Sequence, residues 1–328
     1  MLQLRLLVTG YWISQAIYVV AKLGVPDLLA AGEKKIETIA TEAGVDGNTL
    51  YRVLRALSGQ GLFFEEPERT FRLTSLGRWL TTDIPGSLRY YAIMMGEEQF
   101  AIHGHLLESV KTGKSSFAEI FGEPYFSYLQ KHPESSRIFN LAMTSVGAEQ
   151  NRAILDAYDF SGLKKLVDVG GGYGPLLGKI LERNPSLHNV LYDLPEVMTQ
   201  ARATITAAPW GDRCEVQSGS FFDEVPSGAD AYLLKYILHD WEDELALTIL
   251  KNCRRAMVPG ARLLVVEQVI PAGNEPVFAK FADLHMHVLL GGRERTEKEF
   301  RDLLGAAGFK VQKIVPTSYL LKILEARV

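Results

Sequence analysis

Cysteine is nearly absent from this chain of 328 residues: only Cys214 and Cys253 occur, far apart and in no CxxC pair. That scarcity argues against a disulfide framework and makes a reducing cytoplasm the expected compartment. A long apolar run is missing too. Leu6 to Ala21 carries no charge, but Thr9, Gly10, Ser14 and Gln15 interrupt it. It falls short of the ~20 apolar residues that a membrane span needs, and no small-residue cleavage site marks a leader. Neither sign of charge is in excess. A net charge of -4 offers no global attraction to nucleic acid or to an anionic membrane, so neither partner is expected. Internal repeats and low-complexity tracts are also lacking. The length itself suits about two domains with a large core.

What the chain does have is a glycine bend at its centre. Leu166-Val-Asp-Val-Gly-Gly-Gly-Tyr-Gly174 reads as a buried parallel strand ending in glycines, because Val167 and Val169 are β-branched. Pro175 then suits the first position of the helix that follows. A strand, a glycine turn and a helix form the nucleotide-binding half of a doubly wound sheet, with bare backbone for a cofactor to lie against. The even spacing of Gly170, Gly172 and Gly174 departs from the dinucleotide pattern G-x-G-x-x-G, which disfavours a nicotinamide dehydrogenase. Asp168-x-Gly170-x-Gly172-x-Gly174 resembles motif I of the S-adenosylmethionine-dependent methyltransferases instead. Asp193, in Val190-Leu-Tyr-Asp-Leu-Pro195, ends the next strand where a carboxylate can hold ribose hydroxyls.

Around this centre the chain divides into residues 1–83, 84–160 and 161–328. The first segment opens with a helix apolar on nearly every side (Trp12, Ile13, Ile17, Val20, Leu23), whose expected cover is a second subunit. Residues 36–80 have the pattern of a winged helix-turn-helix. Helices around Ile36, Ile39 and Ala40 and around Leu50, Val53, Leu54 and Leu57 precede a wing at Glu65 to Glu68. A DNA-binding regulator is the competing idea. Three acids on the wing and a near balance of charge over 34–80 argue against it and favour an interaction domain. Residues 84–160 read as helical. From 161 onward, strands are expected near 165–169, 189–193, 214–217, 231–236, 262–268, 309–315 and 318–324. Helices are expected between the first five, and only Pro316-Thr317 separates the last two, in an antiparallel hairpin. Thr296-Glu-Lys-Glu299 is a capping box opening the final helix, which Gly308 closes.

Ionisable residues collect at the carboxyl edge of that sheet. His239 follows the fourth strand, Glu267 ends the fifth, and Glu294 lies in a loop just before a helix. One imidazole with two carboxylates fits a general base whose ring is held and polarised by acids. Plainer alternatives stand beside this: His239 as a bonded loop residue, Glu267 paired with an arginine, and Glu294 in a solvated ion pair with Arg293 or Arg295. Asp283-Leu-His-Met-His287 is not read as a metal site. His285 and His287 point to nearly opposite sides of a helix, and Asp283 with His287 supplies only two ligands. No metal is expected.

The chain as a whole resembles the plant and bacterial small-molecule O-methyltransferases that include the caffeic acid, hydroxyindole and polyketide-tailoring enzymes. The motifs that carry the resemblance are the glycine bend, Asp193-Leu-Pro195, Lys235 with His239-Asp-Trp241, Val258-Pro-Gly260 and Gly292-Arg-Glu-Arg-Thr296. It implies an α/β fold: a Rossmann-like seven-stranded sheet, mostly parallel with an antiparallel last strand, and an N-terminal winged-helix domain that forms a homodimer. It implies S-adenosylmethionine as cofactor, S-adenosylhomocysteine as its product, and His239 as base flanked by Glu267 and Glu294. Asp168, Gly170, Gly172, Asp193, Leu194, Ser220, Phe221 and Lys235 would then face the cofactor. Met143, Asp240, His285 and Met286 would face an aromatic acceptor from secondary metabolism. Two positions depart from the family: Ser220 stands where an acid is usual, and His103 about where tryptophan is frequent. The activity expected is methylation of a phenolic or enolic hydroxyl. The alternatives are a relative that turns the cofactor to hydroxylation or pericyclic chemistry, and a winged-helix ligand sensor.

Overall fold

Thr9 and Gly10 interrupt the apolar N-terminal segment. In the computed structural model, which describes residues 1–328, it forms two helices, Leu2–Val8 and Gly10–Lys22, bent by 46°. The expected continuous helix is broken because the Thr9 hydroxyl donates to Arg5 O at 2.8 Å, beside a glycine. Neither this pair's members nor any other single helix is long and apolar enough to cross a membrane. The chain forms two compact units, Met1–His105 with Phe126–Ala148, and Leu106–Tyr125 with Glu149–Val328.

In the first unit the winged-helix pattern holds. Helices Ile36–Ala43 and Gly47–Ser58 bury Ile36, Ile39, Leu50, Leu54 and Leu57. The Asp46 carboxylate caps the second helix by accepting from Thr49 N at 2.8 Å. Strands β1 (Lys34–Lys35), β2 (Phe63–Glu66) and β3 (Thr70–Leu73) pair antiparallel in the order β1-β3-β2. The wing's acids are occupied locally: Glu65 by Tyr51, Glu66 by Arg72 and Glu68 by Lys35. Residues 84–160 are helical, as expected, in six helices from Arg89–Gly96 to Pro133–Ala157.

The second unit holds strands β4 (Lys165–Val169), β5 (His188–Asp193), β6 (Cys214–Ser218), β7 (Ala231–Lys235) and β8 (Arg262–Ile270), followed by β9 (Arg295–Thr296), β10 (Lys310–Pro316) and β11 (Leu321–Arg327). The order is β10-β11-β8-β7-β4-β5-β6, with β4 to β8 parallel and β11 antiparallel to both neighbours. Alternation splits the core between the two faces: Val167, Tyr232 and Val265 pack on one, Leu166, Leu191 and Leu233 on the other.

Two expectations need correction here. No helix joins β6 to β7. That link crosses over two strands and is held by side chains instead: Asn252 Nδ2 donates to Phe221 O and Phe222 O, and Tyr192 Oη donates to Glu224 O. The last strand begins at Leu321, not 318. Thr317 closes a longer loop by donating from its N and Oγ1 to Leu321 O. The final helix, Glu297–Ala306, does carry the capping box formed by Thr296 and Glu299.

Because β4, β5, β7 and β8 are parallel and in register, Val169, Asp193 and Lys235 end at one edge with Glu267 beside them, although β8 continues to Ile270 and does not end at Glu267 as expected. β8 runs past the end of β7, and there β9 pairs with Val269 and Ile270. That short pairing brings Glu294 beside Glu267.

Candidate active site

The glycine bend is shaped by backbone that other residues avoid. Gly170 and Gly172 have φ of 70° and 59°, left-handed values that cost a residue with a Cβ about 1–2 kcal/mol. Gly170 N donates to Tyr192 O and Gly172 N to Asp193 Oδ2, both at 2.8 Å, while Leu194 N donates to Asp193 Oδ1 at 2.7 Å. A Cβ on Gly172 would meet nothing within 4 Å, so the bend opens onto free space there. One on Gly170 would lie 2.4 Å from Ile237 Cδ1, so the bend is packed against the segment that leads to His239.

Charged groups under this bend are strongly desolvated. Burial pushes the Asp168 carboxyl up to about 7, with Lys235 opposing and Asp193 reinforcing the shift. Burial brings Lys235 down to about 8, against the pull of Asp168 and Glu267. Asp193 is likewise raised by burial, although the amides of Leu194 and Gly172 hold it back. Ser220 Oγ accepts from Phe222 N at 3.2 Å, and Phe221 packs edge-on against Phe222 and Trp241. Leu194 is exposed. An open bend, a carboxylate oriented by two amides and a nearby half-buried lysine fit an adenosyl ligand with an amino-acid tail.

His239 lies in a short turn, Leu238–Asp240, just after β7. Its Nδ1 is 3.0 Å from Glu294 Oε1 and 3.8 Å from Glu267 Oε2, and its Nε2 is 3.2 Å from Asp240 Oδ1. Glu267 and Glu294 are both buried. Glu267 pairs with no arginine; its Oε1 accepts from Ile237 N and Leu238 N at 3.0 and 2.9 Å and so holds the start of the turn. Glu294 ignores the flanking arginines. It takes His239, with Gln268 Nε2 at 3.3 Å, while Arg293 turns to Glu299 and Arg295 to Asp243. Burial would lower the imidazole pKa, but Glu267, Asp240 and Glu294 outweigh it and hold His239 well above its usual value. Glu267 is raised, chiefly by burial.

The three predicted catalytic side chains therefore meet. Their ligand atoms lie within 4.8 Å of one another, and one imidazole with two carboxylates is also a donor set that a divalent cation could use. Of the acceptor-side residues, Asp240 joins this cluster directly. His285 and Met286 are half-buried on the helix Phe278–Leu290. Asp283, on the same helix, accepts from Glu294 N at 2.9 Å, a role tied to Glu294's placement. Met143 belongs to the first unit and is exposed on its helix. His103, on the helix Glu98–Gly104 of that unit, has its pKa lowered by burial.

Sequence reasoning missed two contributors. Tyr236 takes φ 55°, uncommon for a residue with a side chain, and its ring stacks on His239 with centroids 5.0 Å apart. A Cβ on Gly292 would fall 2.1 Å from His239 O, so that glycine lets two loops touch backbone to backbone. No local signal marks Tyr236, whereas Gly292 opens the motif Gly292-Arg-Glu-Arg-Thr296.

Residues 103–310 match the family described as O-methyltransferase domain, and residues 6–83 the one described as O-methyltransferase dimerisation domain. The chain is 46% identical over 321 residues to the phenazine O-methyltransferase PhzM of Lysobacter antibioticus, covering 98% of this chain and 94% of that protein. It is 37% identical over 316 residues to the 8-amino-8-demethylriboflavin N,N-dimethyltransferase of Streptomyces davaonensis, covering 95% and 90%. Among solved structures it matches NcsB1, an O-methyltransferase from neocarzinostatin biosynthesis in complex with S-adenosylmethionine and 2-hydroxy-5-methyl naphthoic acid. That match has a TM-score of 0.85 and 32% identity, with 96% and 95% of the chains covered.

Proposed function

The chain belongs to the S-adenosylmethionine-dependent small-molecule O-methyltransferases, and we propose that it methylates a phenolic or enolic hydroxyl with His239 as general base. The observation that carries this reading is the His239 Nδ1 to Glu294 Oε1 contact of 3.0 Å, which fixes the ring at the sheet edge bearing the glycine bend. Bound at that bend, S-adenosylmethionine supplies an electrophilic methyl group.

The chain's own residues then have distinct tasks. Glu294 orients the imidazole through Nδ1, so that Nε2 is the nitrogen presented to the acceptor. Asp240, now beside Nε2, yields that place to the incoming hydroxyl. Glu267 holds the turn through two backbone amides and adds negative charge behind the ring. A phenol near pKa 10 facing an ordinary imidazole near 6.5 leaves proton transfer about 5 kcal/mol uphill. Raising His239 narrows that gap, which suits a phenol far better than an aliphatic alcohol. Asp193 is placed for ribose hydroxyls and Lys235 for the anionic end of the cofactor. His285 and Met286 are assigned to the acceptor.

His239→Gln keeps a similar shape without the basic nitrogen. Turnover should fall by about 10²–10⁴-fold while calorimetric affinity for S-adenosylhomocysteine stays near wild type. Retained turnover would remove the proposed base. A nitrogen acceptor is the second reading, favoured by the likeness to an N,N-dimethyltransferase. Assaying matched phenols and anilines by mass spectrometry separates the two.

A further inference from the structure

Arg295 is the largest fully buried side chain in the chain, at 0% exposure. A guanidinium taken wholly out of water is costly unless every donor finds a partner. Here the donors converge on one short stretch. Nη1 donates to Leu238 O at 2.7 Å, and Nη2 to Trp241 O at 2.9 Å. Nε and Nη2 both reach Asp243 Oδ1, at 3.0 and 2.8 Å. The two carbonyls bracket His239 and Asp240 on either side. Arg295 also follows Glu294 directly, so one short segment carries both the ring's carboxylate partner and the fork that grips the ring's own loop.

Two further contacts run the same way. Arg293 N donates to His239 O at 2.8 Å, and the bare backbone of Gly292 lies against the His239 and Asp240 peptide. A buried hydrocarbon of similar volume would fill the space but leave Leu238 O and Trp241 O without this partner. A lysine would bring charge but only a point donor, unable to span three acceptors in a plane.

We propose that Arg295 is a positioning residue, fixing the loop that carries His239 against the segment that carries Glu294, so that the imidazole and its carboxylate stay in register. The proposal rests on the base role of His239 given above. Arg295 itself bonds to backbone carbonyls and Asp243, not to the imidazole.

The test uses Arg295→Lys in the full-length protein, with three readouts. Circular dichroism and calorimetry with S-adenosylhomocysteine report folding and cofactor binding. Steady-state kinetics separate kcat from KM. Proton and carbon NMR of labelled histidine, assigned by the signal missing in His239→Gln, follows titration of the ring. Expected is a folded variant with cofactor affinity within about 3-fold and kcat at least ~100-fold lower, as misplacement of a reacting group gives. The His239 titration should fall back toward the ordinary imidazole range as Glu294 loses its alignment. Should Arg295→Lys not fold, Asp243→Asn weakens the same fork from a side chain that is 59% exposed, and a smaller shift in the same direction is expected. A folded variant whose ring titrates as in wild type overturns the proposal, as does cofactor affinity lost in step with kcat. Failure of the base reading looks different: His239→Gln would keep turnover, whereas the ring titration reports register whether or not the ring is the base.

Discussion

Both nitrogens of His239 face carboxylates, Glu294 at Nδ1 and Asp240 at Nε2, with Glu267 close behind. This makes the ring a stronger base and, for the same reason, one more often protonated. Because the proton must leave before the ring can act, raising the pKa moves the active fraction to higher pH. The acid limb of kcat/KM should therefore have its midpoint above the ~6.5 of an ordinary imidazole, with activity rising as pH rises through it. Glu294→Gln should shift that limb downward and lower the plateau, since the ring is then both less proton-hungry and less well held. Initial rates in constant-ionic-strength buffers check this. A wild-type midpoint at or below the ordinary value would mean that the surrounding acids do not govern the ring. Ser220 is the quieter feature at this scale, its hydroxyl accepting from Phe222 N as part of the turn.

At the scale of elements, the site depends on two loops meeting without side chains between them. A Cβ on Gly292 would lie 2.1 Å from His239 O and 2.6 Å from Asp240 C, both backbone atoms that cannot rotate away. Gly292→Ala should cost about 1–3 kcal/mol of stability through overpacking. It should also lower kcat by about 100-fold by displacing the base. Thermal melts and kinetics on one preparation measure both, and an unchanged kcat would show that the loops have slack. The same locality explains what the sequence could disclose. Val167 and Val169, the glycine spacing and the Thr296 box are short-range signals, and each stands where expected. The helix-free link between β6 and β7 is not local, because Asn252 and Tyr192 hold it from distant elements. Tyr236's left-handed backbone is equally hidden, since nothing in Lys235-Tyr-Ile237 demands it. Glu294 reads locally as a partner for its flanking arginines; only the β8–β9 pairing brings it to His239.

For the whole molecule, one consequence concerns assembly. Leu2, Leu4, Leu6, Leu7, Tyr11 and Trp12 are exposed on the N-terminal helices, a concentration of bare apolar side chains of a kind that marks an interface. We propose that it closes a homodimer, and Trp12→Asp should shift the mass by light scattering toward the monomer; a wild-type monomer would sink the idea. A second consequence concerns pH. The folded chain holds Asp168 up at about 7 and raises Asp193, Asp283 and Glu267, largely by burial, while His239 is raised by its acidic neighbours. Each binds its proton more tightly folded than unfolded. Stability from these groups is therefore fully present only below their ordinary values, the usual carboxylate range for the acids and the usual imidazole range for His239, and is lost as pH rises from there through the folded values. Glu299 and Glu325 are shifted the other way, but their contribution is already complete above the ordinary carboxylate range. Lys235, lowered to about 8, adds stability only as pH climbs beyond that value. Ligand-free protein should accordingly lose several degrees of Tm between about pH 5.5 and about pH 7.5, at roughly 2–4 °C per kcal/mol. Asp168→Asn, neutral at every pH, should flatten part of that slope, and saturating S-adenosylhomocysteine should raise Tm across the range. A Tm that climbs over the same interval would mean that the carboxylates beneath the glycine bend ionise freely in the folded state.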